Sequence, residues 1–341
     1  MKCLMPLIGL VFLLTTSAWS AEDIIDANRA LGRGINLGNA LEVPKGQDWG
    51  FTLKMEHFKV IKDAGFDHVR VPVRWSDYAA KAEPFTIDEA WFTRIDKVLD
   101  ECEKQKLRVV LNVHHYDEMI SMPREHFHRL KAIWKQLAKR YAKRPATLYF
   151  EFLNEPNEAL TSEMWNEFVP QLLAIVRENN PTRPVIIGPG MWNNIHELKS
   201  LKLPADKNVI VTVHYYLPFD FTHQSAPWTT PEVRGIVDRR WPKDEKEIAQ
   251  LASDFDLVAK WSKETARPIY IGEFGTFEKA PLESRAMWTK TVTDQARKHG
   301  FSYAYWEFGS GFGAYDPKSR AWRKPLLDAI VGEPVKKELQ R

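Results

Sequence analysis

The chain lacks several features that would assign it to other classes of protein. Its 341 residues include only two cysteines, Cys3 and Cys102, and its formal net charge is only +3. It has no Gly-rich phosphate-binding motif and no Ser- or Pro-rich linker. The small net charge gives no reason to expect nucleic-acid or membrane partners, so we expect a neutral substrate. Since Cys3 lies in the N-terminal segment considered next, no intrachain disulfide is expected.

The one long apolar run lies at the N-terminus. Lys2 is followed by apolar residues 4–14 and then by small residues up to Ala21. This order is typical of a secretory signal and is too short for a spanning helix. We therefore predict a signal peptide over residues 1–21, a released extracellular or periplasmic protein, and a single domain over residues 22–341.

Apolar, β-branched runs alternate with amphipathic segments along the rest of the chain. The eight runs are Gly34 to Leu37, His68 to Val73, Leu107 to Val113, Thr147 to Leu153, Val185 to Gly188, Val209 to Val213, Pro268 to Gly272 and Ser302 to Trp306. The helical patterns are Thr52 to Ala64, Asp88 to Gln105, Glu125 to Ala142, Ser162 to Asn179, a weak one over Asn194 to Ser200, Lys246 to Thr265, Leu282 to His299 and Lys324 to Val331. This alternation predicts an α/β fold, the (β/α)8 TIM barrel, over an open doubly wound sheet.

Polar and aromatic residues follow the predicted strands. They are Asn36, Asn39, Arg70, Arg74, His114, His115, Asn154, Glu155, Trp192, His214, Tyr216, Glu273, Trp306 and Glu307. Active sites of this fold lie at the carboxyl ends of its strands. We therefore expect these residues to surround one functional mouth.

Glu155 and Glu273 are the candidate catalytic residues. Cleaving a glycosidic bond requires at least two carboxyl groups facing one cavity, one to protonate the departing oxygen and one to attack or to activate water. The alternative is that each carboxylate pairs separately with a cation. An inward-facing arginine would hold Glu273 ionised, and its position favours Arg70 over Arg74, which suits a rim salt bridge equally well.

Histidines raise the question of a metal ion. His114 and His115 are adjacent, so on a strand they would point to opposite sides, and no metal-binding histidine motif is present. We expect neither a metal nor a cofactor. His214 and Tyr216 are two residues apart and share a strand face, where they could together orient a carboxylate or a sugar hydroxyl.

Tryptophans outside the helical patterns are candidates for stacking on sugar rings. Trp306 follows the last predicted strand, and Trp228 lies in the long Pro-rich segment 217–243. A loop of that length in a compact domain is usually a lid or a binding wall.

These residues carry a resemblance to a known family. The motifs, in chain order, are GINLGNALE (34–42), HVRVPVRWS (68–76), NVHHY (112–116), EFLNEP (151–156), HYYLPF (214–219), IYIGEFG (269–275) and AYWEF (304–308). The chain resembles the glycoside hydrolases of family 5, the cellulase family, through nearly its whole length after the N-terminal segment. The likeness is strongest to bacterial single-domain endoglucanases, some of which also accept mannan.

The resemblance implies retention through a covalent glycosyl-enzyme. In that mechanism Glu155 would be the acid/base, Glu273 the nucleophile and Asn154 the partner of the sugar 2-hydroxyl. The supporting residues would be Arg70 and Tyr216, which keep Glu273 ionised and aligned, and His214, which tunes the acid/base. The implied sugar ligands are His114 and Trp306 beside the scissile bond and, further away, Asn39, Glu42, His115, Trp228 and Glu307.

We therefore predict a secreted, monomeric endo-β-1,4-glucanase, with mannan or glucomannan as further candidate substrates. The alternatives are a β-mannanase, a polysaccharide-binding barrel without catalysis, and a metal-dependent hydrolase. Because the sequence contains no cellulose-binding module, we expect activity on soluble or amorphous chains. Glu151 has the same strand parity as Glu155, and we expect it to be paired with a cation inside the barrel.

Overall fold

A computed structural model of the protein describes residues 21–332. Within that range eight strands hydrogen-bond in chain order, all parallel, and close into a barrel. The strands are β1 Arg33–Asn36, β2 His68–Val71, β3 Arg108–Asn112, β4 Leu148–Glu151, β5 Val185–Ile187, β6 Val209–Tyr215, β7 Ile269–Phe274 and β8 Ser302–Tyr305. The predicted (β/α)8 fold is confirmed. The predicted signal peptide lies outside the described residues except for Ala21, which begins the first helix.

Helices surround the barrel, and a two-stranded hairpin follows its last strand. The α-helical segments are α1 Ala21–Leu31, α2 Glu56–Asp63, α3 Glu89–Lys104, α4 Asp117–Ser121, α5 Pro123–Arg140, α6 Ser162–Arg177, α7 Gly190–Asn193, α8 Phe219–Thr222, α9 Pro231–Arg234, α10 Glu245–Thr265, α11 Leu282–Lys298 and α12 Lys324–Val331. Short 3-10 turns cover Trp75–Asp77 and Ile195–Ser200, and the hairpin pairs β9 Tyr315–Asp316 with β10 Ala321–Trp322.

The long helices pack an apolar stripe against the outside of the barrel. In α5 the buried residues Phe127, Leu130, Trp134 and Leu137 recur at the three- and four-residue spacing of one helix face. Trp134 packs on Phe150 of β4 with ring centroids 5.4 Å apart. Burial of this stripe holds the strands in place, so the carboxyl ends of the strands form a rigid platform.

The first helix packs against the barrel at the amino ends of the strands. Ile24, Ala27 and Leu31 are buried there in a small apolar cluster. Between them, Asn28 donates to the carbonyl of Ile269 and accepts a hydrogen bond from the hydroxyl of Ser302. The sequence analysis did not predict α1, although its buried residues recur at the three- and four-residue spacing of one helix face.

Differences from the predicted strand ends concern the site directly. Strand β4 ends at Glu151, two residues before the predicted end, so Glu155 lies on the following loop. Strand β6 continues to Tyr215, with a register shift between Val213 and His214 that sets His214 beside Glu273 of β7. Such an irregularity re-aims a side chain without ending the strand. The weak helix predicted over Asn194 to Ser200 is a 3-10 turn.

Candidate active site

An arginine lies at the centre of the barrel mouth. Its neighbours Val69 and Val71 belong to the apolar core cluster that also contains the helix stripes, so the alternation of β2 directs Arg70 inward. Arg70 donates from Nε and Nη2 to the two carboxylate oxygens of Glu151 at 2.7 and 2.8 Å. Both side chains are completely buried. The expectation that Glu151 is paired with a cation inside the barrel is confirmed.

The remaining contacts of Arg70 orient two amides. Nη1 donates to Oδ1 of Asn36 at 2.8 Å, and Nη2 donates to Oδ1 of Asn154 at 2.6 Å. Because its oxygen is engaged by Arg70, Asn154 has its NH2 group available to a ligand. Arg74, the alternative arginine, instead donates to the carbonyl of Glu42 and to the exposed carboxylate of Asp117 at the rim.

Glu273 lies within β7 and is held at both oxygens. Oε1 accepts from Nη1 of Arg70 at 2.7 Å, and Oε2 accepts from the hydroxyl of Tyr216 at 2.9 Å. Burial raises the pKa of this carboxyl, and the charge of Arg70 opposes the rise. The predicted neighbours of Glu273 are thus brought together with the carboxylate fixed in orientation.

Glu155 lies across the mouth in a less enclosed setting. Its side chain is 24% exposed, and its Oε1 lies 2.7 Å from Nδ1 of His214. Burial raises the pKa of Glu155 to about 7, with Arg70 opposing the rise and the charge of Glu151 adding to it. Burial also lowers the pKa of His214 to about 4, so this imidazole is neutral at pH 7. A carboxyl that titrates near neutrality is suited to transferring a proton.

The two glutamates are close together. One oxygen of Glu155, one oxygen of Glu273 and one ring nitrogen of His214 all lie within 4.8 Å of one another. This spacing would also suit a metal ion. However, Glu155 and His214 are already hydrogen-bonded to each other, and Glu273 is bonded to Arg70 and Tyr216. The donor set is therefore occupied by internal hydrogen bonds.

Aromatic rings line one side of the mouth. His114 stacks on Trp306 with centroids 5.4 Å apart and planes 7° from parallel. Burial holds the pKa of His114 well below its usual value, and Nε2 lies 4.0 Å from Oε1 of Glu273. His115 meets the half-exposed ring of Trp49 edge to face at 5.9 Å. The structure thus places His114 beside the nucleophile candidate with Trp306 stacked on it. Because β3 ends at Asn112, His114 and His115 lie beyond the strand, and their rings are 4.6 Å apart instead of on opposite sides as expected.

Trp228 lies on the exposed side of a neighbouring aromatic cluster. Its side chain is 61% exposed and meets Phe277 edge to face at 5.0 Å. Phe277 and Phe312 form a small apolar cluster against which Tyr216 and Trp306 pack. The long segment 217–243 therefore brings an exposed indole next to the site. Trp241, in the same segment, is buried and offers no face to a ligand.

Two predicted sugar ligands are placed differently from the prediction. Glu42 and Glu307 are completely buried. Glu42 accepts from the backbone N–H groups of residues 39–41, and Glu307 accepts from those of Gly309, Ser310 and Phe312. Neither carboxylate has a free face for a sugar, so each instead holds a loop in shape. Burial raises the pKa of Glu42 to about 7 and that of Glu307 to about 8.

Asn39 joins these two loops. It adopts a left-handed backbone conformation with φ 60°, and its Nδ2 donates to Oγ of Ser310 at 2.6 Å. Its side chain is half-buried at the rim. The predicted position of Asn39 beside the mouth therefore agrees with the structure, and it ties the loop after β1 to the loop after β8.

Two asparagines of the site were not among the predicted site residues. Asn36 was noted only as a polar residue at a strand end, yet it bonds Arg70 and the carbonyl of Gly272. Asn193 is completely buried and contacts both Asn154 and His214. In the sequence, the adjacent Asn193 and Asn194 after the fifth strand are a weak indication of a special turn, because asparagine tolerates left-handed backbone.

Comparison with known proteins agrees with this geometry. The family model described as Cellulase (glycosyl hydrolase family 5) matches residues 33–311. The chain belongs to glycosyl hydrolase family 5. As a member of this family it is a glycoside hydrolase.

Several relatives of this family 5 hydrolase are known. Endoglucanase H of Acetivibrio thermocellus is 35% identical over 92% of the chain, which spans only 34% of that protein. A hyperthermophilic endo-β-1,4-glucanase solved with substrate is 42% identical, with a TM-score of 0.89 over 91% of this chain and 99% of its own. Thermotoga maritima Cel5A, solved with a mannotriose substrate, is 46% identical, with a TM-score of 0.87 over 90% of this chain and 100% of its own.

Within residues 21–332 no helix combines the length and apolarity needed to cross a bilayer.

Proposed function

We propose that this family 5 hydrolase is an endo-β-1,4-glucanase that works with retention, with Glu155 as acid/base and Glu273 as nucleophile. The observation that carries the proposal is the approach of their oxygens to within 4.8 Å. Retaining glycosidases hold their carboxyl groups about 5 to 5.5 Å apart, whereas inverting ones need roughly 6.5 to 9.5 Å to admit a water. The short separation supports direct attack by one carboxylate.

In the first step, Oε2 or Oε1 of Glu273 attacks the anomeric carbon as the glycosidic bond breaks. The proton of Glu155 passes to the departing oxygen, so the leaving sugar departs as a neutral alcohol and Glu155 becomes a carboxylate. Tyr216 and Arg70 hold Glu273 aligned for the attack. The NH2 of Asn154 is available to the 2-hydroxyl, where a hydrogen bond that strengthens in the transition state lowers the barrier.

In the second step, water replaces the leaving sugar. Glu155 takes a proton from that water, and the resulting hydroxide attacks the anomeric carbon and releases Glu273. The enzyme returns to its starting protonation state. A pKa near 7 for Glu155 suits both halves of this cycle, because the group must give a proton and then take one at the same pH.

The substrate proposal rests on the shape of the mouth and on the relatives. The stacked rings of His114 and Trp306 beside Glu273 and the exposed indole of Trp228 suit a neutral, flat-faced polysaccharide. Relatives named endoglucanase favour β-1,4-glucan. The mannotriose complex of Thermotoga maritima Cel5A motivates mannan or glucomannan as a second substrate class.

A substrate panel tests the proposal. Carboxymethyl cellulose, barley glucan, glucomannan, galactomannan and xylan are digested and the products sized. We expect internal cleavage of carboxymethyl cellulose and barley glucan, with Glu155→Gln and Glu273→Gln each abolishing it. Galactomannan as the best substrate would make β-mannanase the main activity. Binding without cleavage would make the chain a polysaccharide-binding barrel, and activity lost on adding a chelator would indicate a metal-dependent hydrolase.

We further propose that the protein is secreted after loss of residues 1–21 and acts as a monomer. The sequence pattern of the N-terminal segment supports the first statement, and the second is a working proposal for the mass measurement below. N-terminal sequencing of the protein recovered from the medium or the periplasm tests the first statement, and light scattering tests the second. A retained Met1 or a dimer mass would contradict them.

A further inference from the structure

The short segment α7 after β5 is a left-handed turn rather than a regular α-helix. Met191, Trp192 and Asn193 are three consecutive non-glycine residues with positive φ, at 52°, 61° and 55°. Each such residue costs free energy that the surrounding structure must offset. Met191 and Trp192 are each 46% exposed, whereas Asn193 is completely buried. The turn therefore serves to place the Asn193 side chain rather than to bury apolar surface.

The turn is anchored on both sides of Glu155. The Trp192 N–H donates to the carbonyl of Pro156 at 3.1 Å. Nδ2 of Asn193 donates to the carbonyl of Asn154 at 2.5 Å. Gly188 leaves the space for this amide, since a Cβ at that position would lie 2.0 Å from Oδ1 of Asn193. The strained turn is thus attached to the two residues that flank the candidate acid/base.

The Asn193 amide also defines the protonation of the neighbouring imidazole. A backbone carbonyl only accepts, so the atom facing Asn154 must be the NH2 nitrogen. The same NH2 lies 3.2 Å from Nε2 of His214. A nitrogen that faces a donor must accept, and a neutral imidazole carries one proton. His214 therefore carries its proton on Nδ1 and donates it to Oε1 of Glu155, 2.7 Å away.

We propose that Asn193 is a positioning residue that fixes the Nδ1–H tautomer of His214 and so keeps the catalytic proton of Glu155 on Oε2. This inference rests on the proposed acid/base role of Glu155. Oε1 already accepts from His214, so the acid proton is carried by the other oxygen, which remains free to reach the substrate. In the opposite tautomer, Nδ1 would carry no proton and would accept a hydrogen bond from the protonated carboxyl of Glu155. The acid proton would then point at His214 instead of at the substrate.

The charge environment sets the sign of the effect. The titratable or charged groups that face His214 and Glu155 are Arg70, His114, Glu151, Tyr216 and Glu273. None of these is altered by a change at Asn193. Loss of its amide gives protonated Glu155 a second hydrogen-bonding arrangement, with its proton donated to Nδ1, and so raises the pKa of Glu155.

The tautomer can be observed directly. In the ¹⁵N NMR spectrum of histidine-labelled protein, the ring nitrogens that carry a proton are distinct from those that do not. We expect His214 to show a protonated Nδ1 and a bare Nε2. In Asn193→Asp, which tolerates the left-handed backbone and replaces the donor by an acceptor, we expect Nε2 to gain a proton. A protonated Nε2 in the wild type, or a bare one in Asn193→Asp, would overturn the proposal.

Kinetics provide the second test. For Asn193→Ala we expect kcat/KM on an aryl β-cellobioside with a poor leaving group to fall about tenfold, and that on a 2,4-dinitrophenyl β-cellobioside to change less than about twofold, because only the former needs the acid. The alkaline limb of the poor-leaving-group profile should move to higher pH. Equal losses on both substrates with an unmoved limb would indicate a merely structural role and would overturn the proposal.

A matched control lies next to the target. Asn194 is exposed and caps the following 3-10 turn through Oδ1. Asn194→Asp adds the same charge as Asn193→Asp and keeps the cap, so it should leave the tautomer and both rates unchanged. Failure of the proposed function is recognised separately, since an active Glu155→Gln would remove the acid/base role while leaving the NMR result on His214 intact.

Discussion

Arg70 and Glu151 form a two-pronged ion pair with no solvent exposure inside the barrel, at 2.7 and 2.8 Å. The same guanidinium reaches Glu273 at 2.7 Å. One cation is thus shared between a carboxylate that never meets substrate and one proposed to attack it. Glu151 thereby limits how far Arg70 can lower the pKa of either glutamate in the mouth.

Glu151→Gln tests this sharing. The charge of Glu151 raises the pKa of Glu155, so its removal should lower that pKa and move the alkaline limb of kcat/KM to lower pH. Because the change leaves a buried cation short of one partner, we also expect a loss of about 3 to 5 kcal/mol in the free energy of unfolding. The exposed Glu178→Gln, measured by the same pH profile and denaturant titration, should change neither quantity. A limb that moves to higher pH would contradict the account.

The pH dependence of the wild type follows from Glu155. With a pKa of about 7, the group is a competent acid below that pH and is lost as an acid above it. We expect kcat/KM on an aryl β-cellobioside with a poor leaving group to decline above about pH 7. The wild type assayed on the 2,4-dinitrophenyl β-cellobioside, which needs no acid, should lack this limb. If the same limb appears on that substrate, a group other than the acid is responsible for it.

Trp228 offers a test of the binding wall. Because its indole is mostly exposed, we expect Trp228 to contribute little to folding stability. Trp228→Ala should raise KM for carboxymethyl cellulose about tenfold, equal to about 1.4 kcal/mol of binding free energy, and leave kcat and Tm nearly unchanged. Val237→Ala is the control, because Val237 lies in the same segment and is 76% exposed. An unchanged KM in the tryptophan variant would remove Trp228 from the substrate path.

Glu307 should act on stability rather than on binding. Its Oε2 accepts from the Gly309 N–H at 2.9 Å, and the NH2 of a glutamine cannot. We expect Glu307→Gln to lower the free energy of unfolding by about 1 to 3 kcal/mol at pH 5. Denaturant titration measures the loss, with Glu178→Gln as the exposed control.

The pH dependence of that loss has a defined sign. Burial raises the folded-state pKa of Glu307 from 4.5 to about 8, so the neutral carboxyl is the form that folding favours. This contribution is fully present below the unfolded pKa and is lost as pH rises through the folded pKa. The stability difference between wild type and Glu307→Gln should therefore shrink between about pH 4.5 and 8. A difference that grows over this range would contradict the burial argument.

The strand ends were predictable because they depend on patterns local in sequence. Each buried strand is an apolar run, and the topology alone delivers the polar residues near or just beyond its carboxyl end to the mouth. Arg70, Glu155, His214 and Glu273 are therefore brought together as expected. Alternation directs Arg70 inward, since Val69 and Val71 need an apolar surface. Arg74 has the same parity but lies beyond the end of β2 at Val71, so it reaches the rim instead.

Features that depend on loop geometry were not predictable. Glu42 and Glu307 have the residue type of sugar ligands, but their loops fold back and present backbone N–H groups to them. Asn193 reaches His214 only because three successive residues adopt left-handed backbone, which residue type permits but does not specify. Helix α1 depends on packing beneath strands far away in sequence.

The most direct measurement of the central claim is mass spectrometry of the enzyme after reaction with 2,4-dinitrophenyl 2-deoxy-2-fluoro-β-cellobioside. The fluorine slows both the formation and the hydrolysis of the glycosyl-enzyme. The activated leaving group speeds up its formation alone, so the glycosyl-enzyme should accumulate. We predict a single added glycosyl group, located by proteolysis on the peptide that contains Glu273 and absent in Glu273→Gln. No adduct, or one on Glu155, would contradict the account.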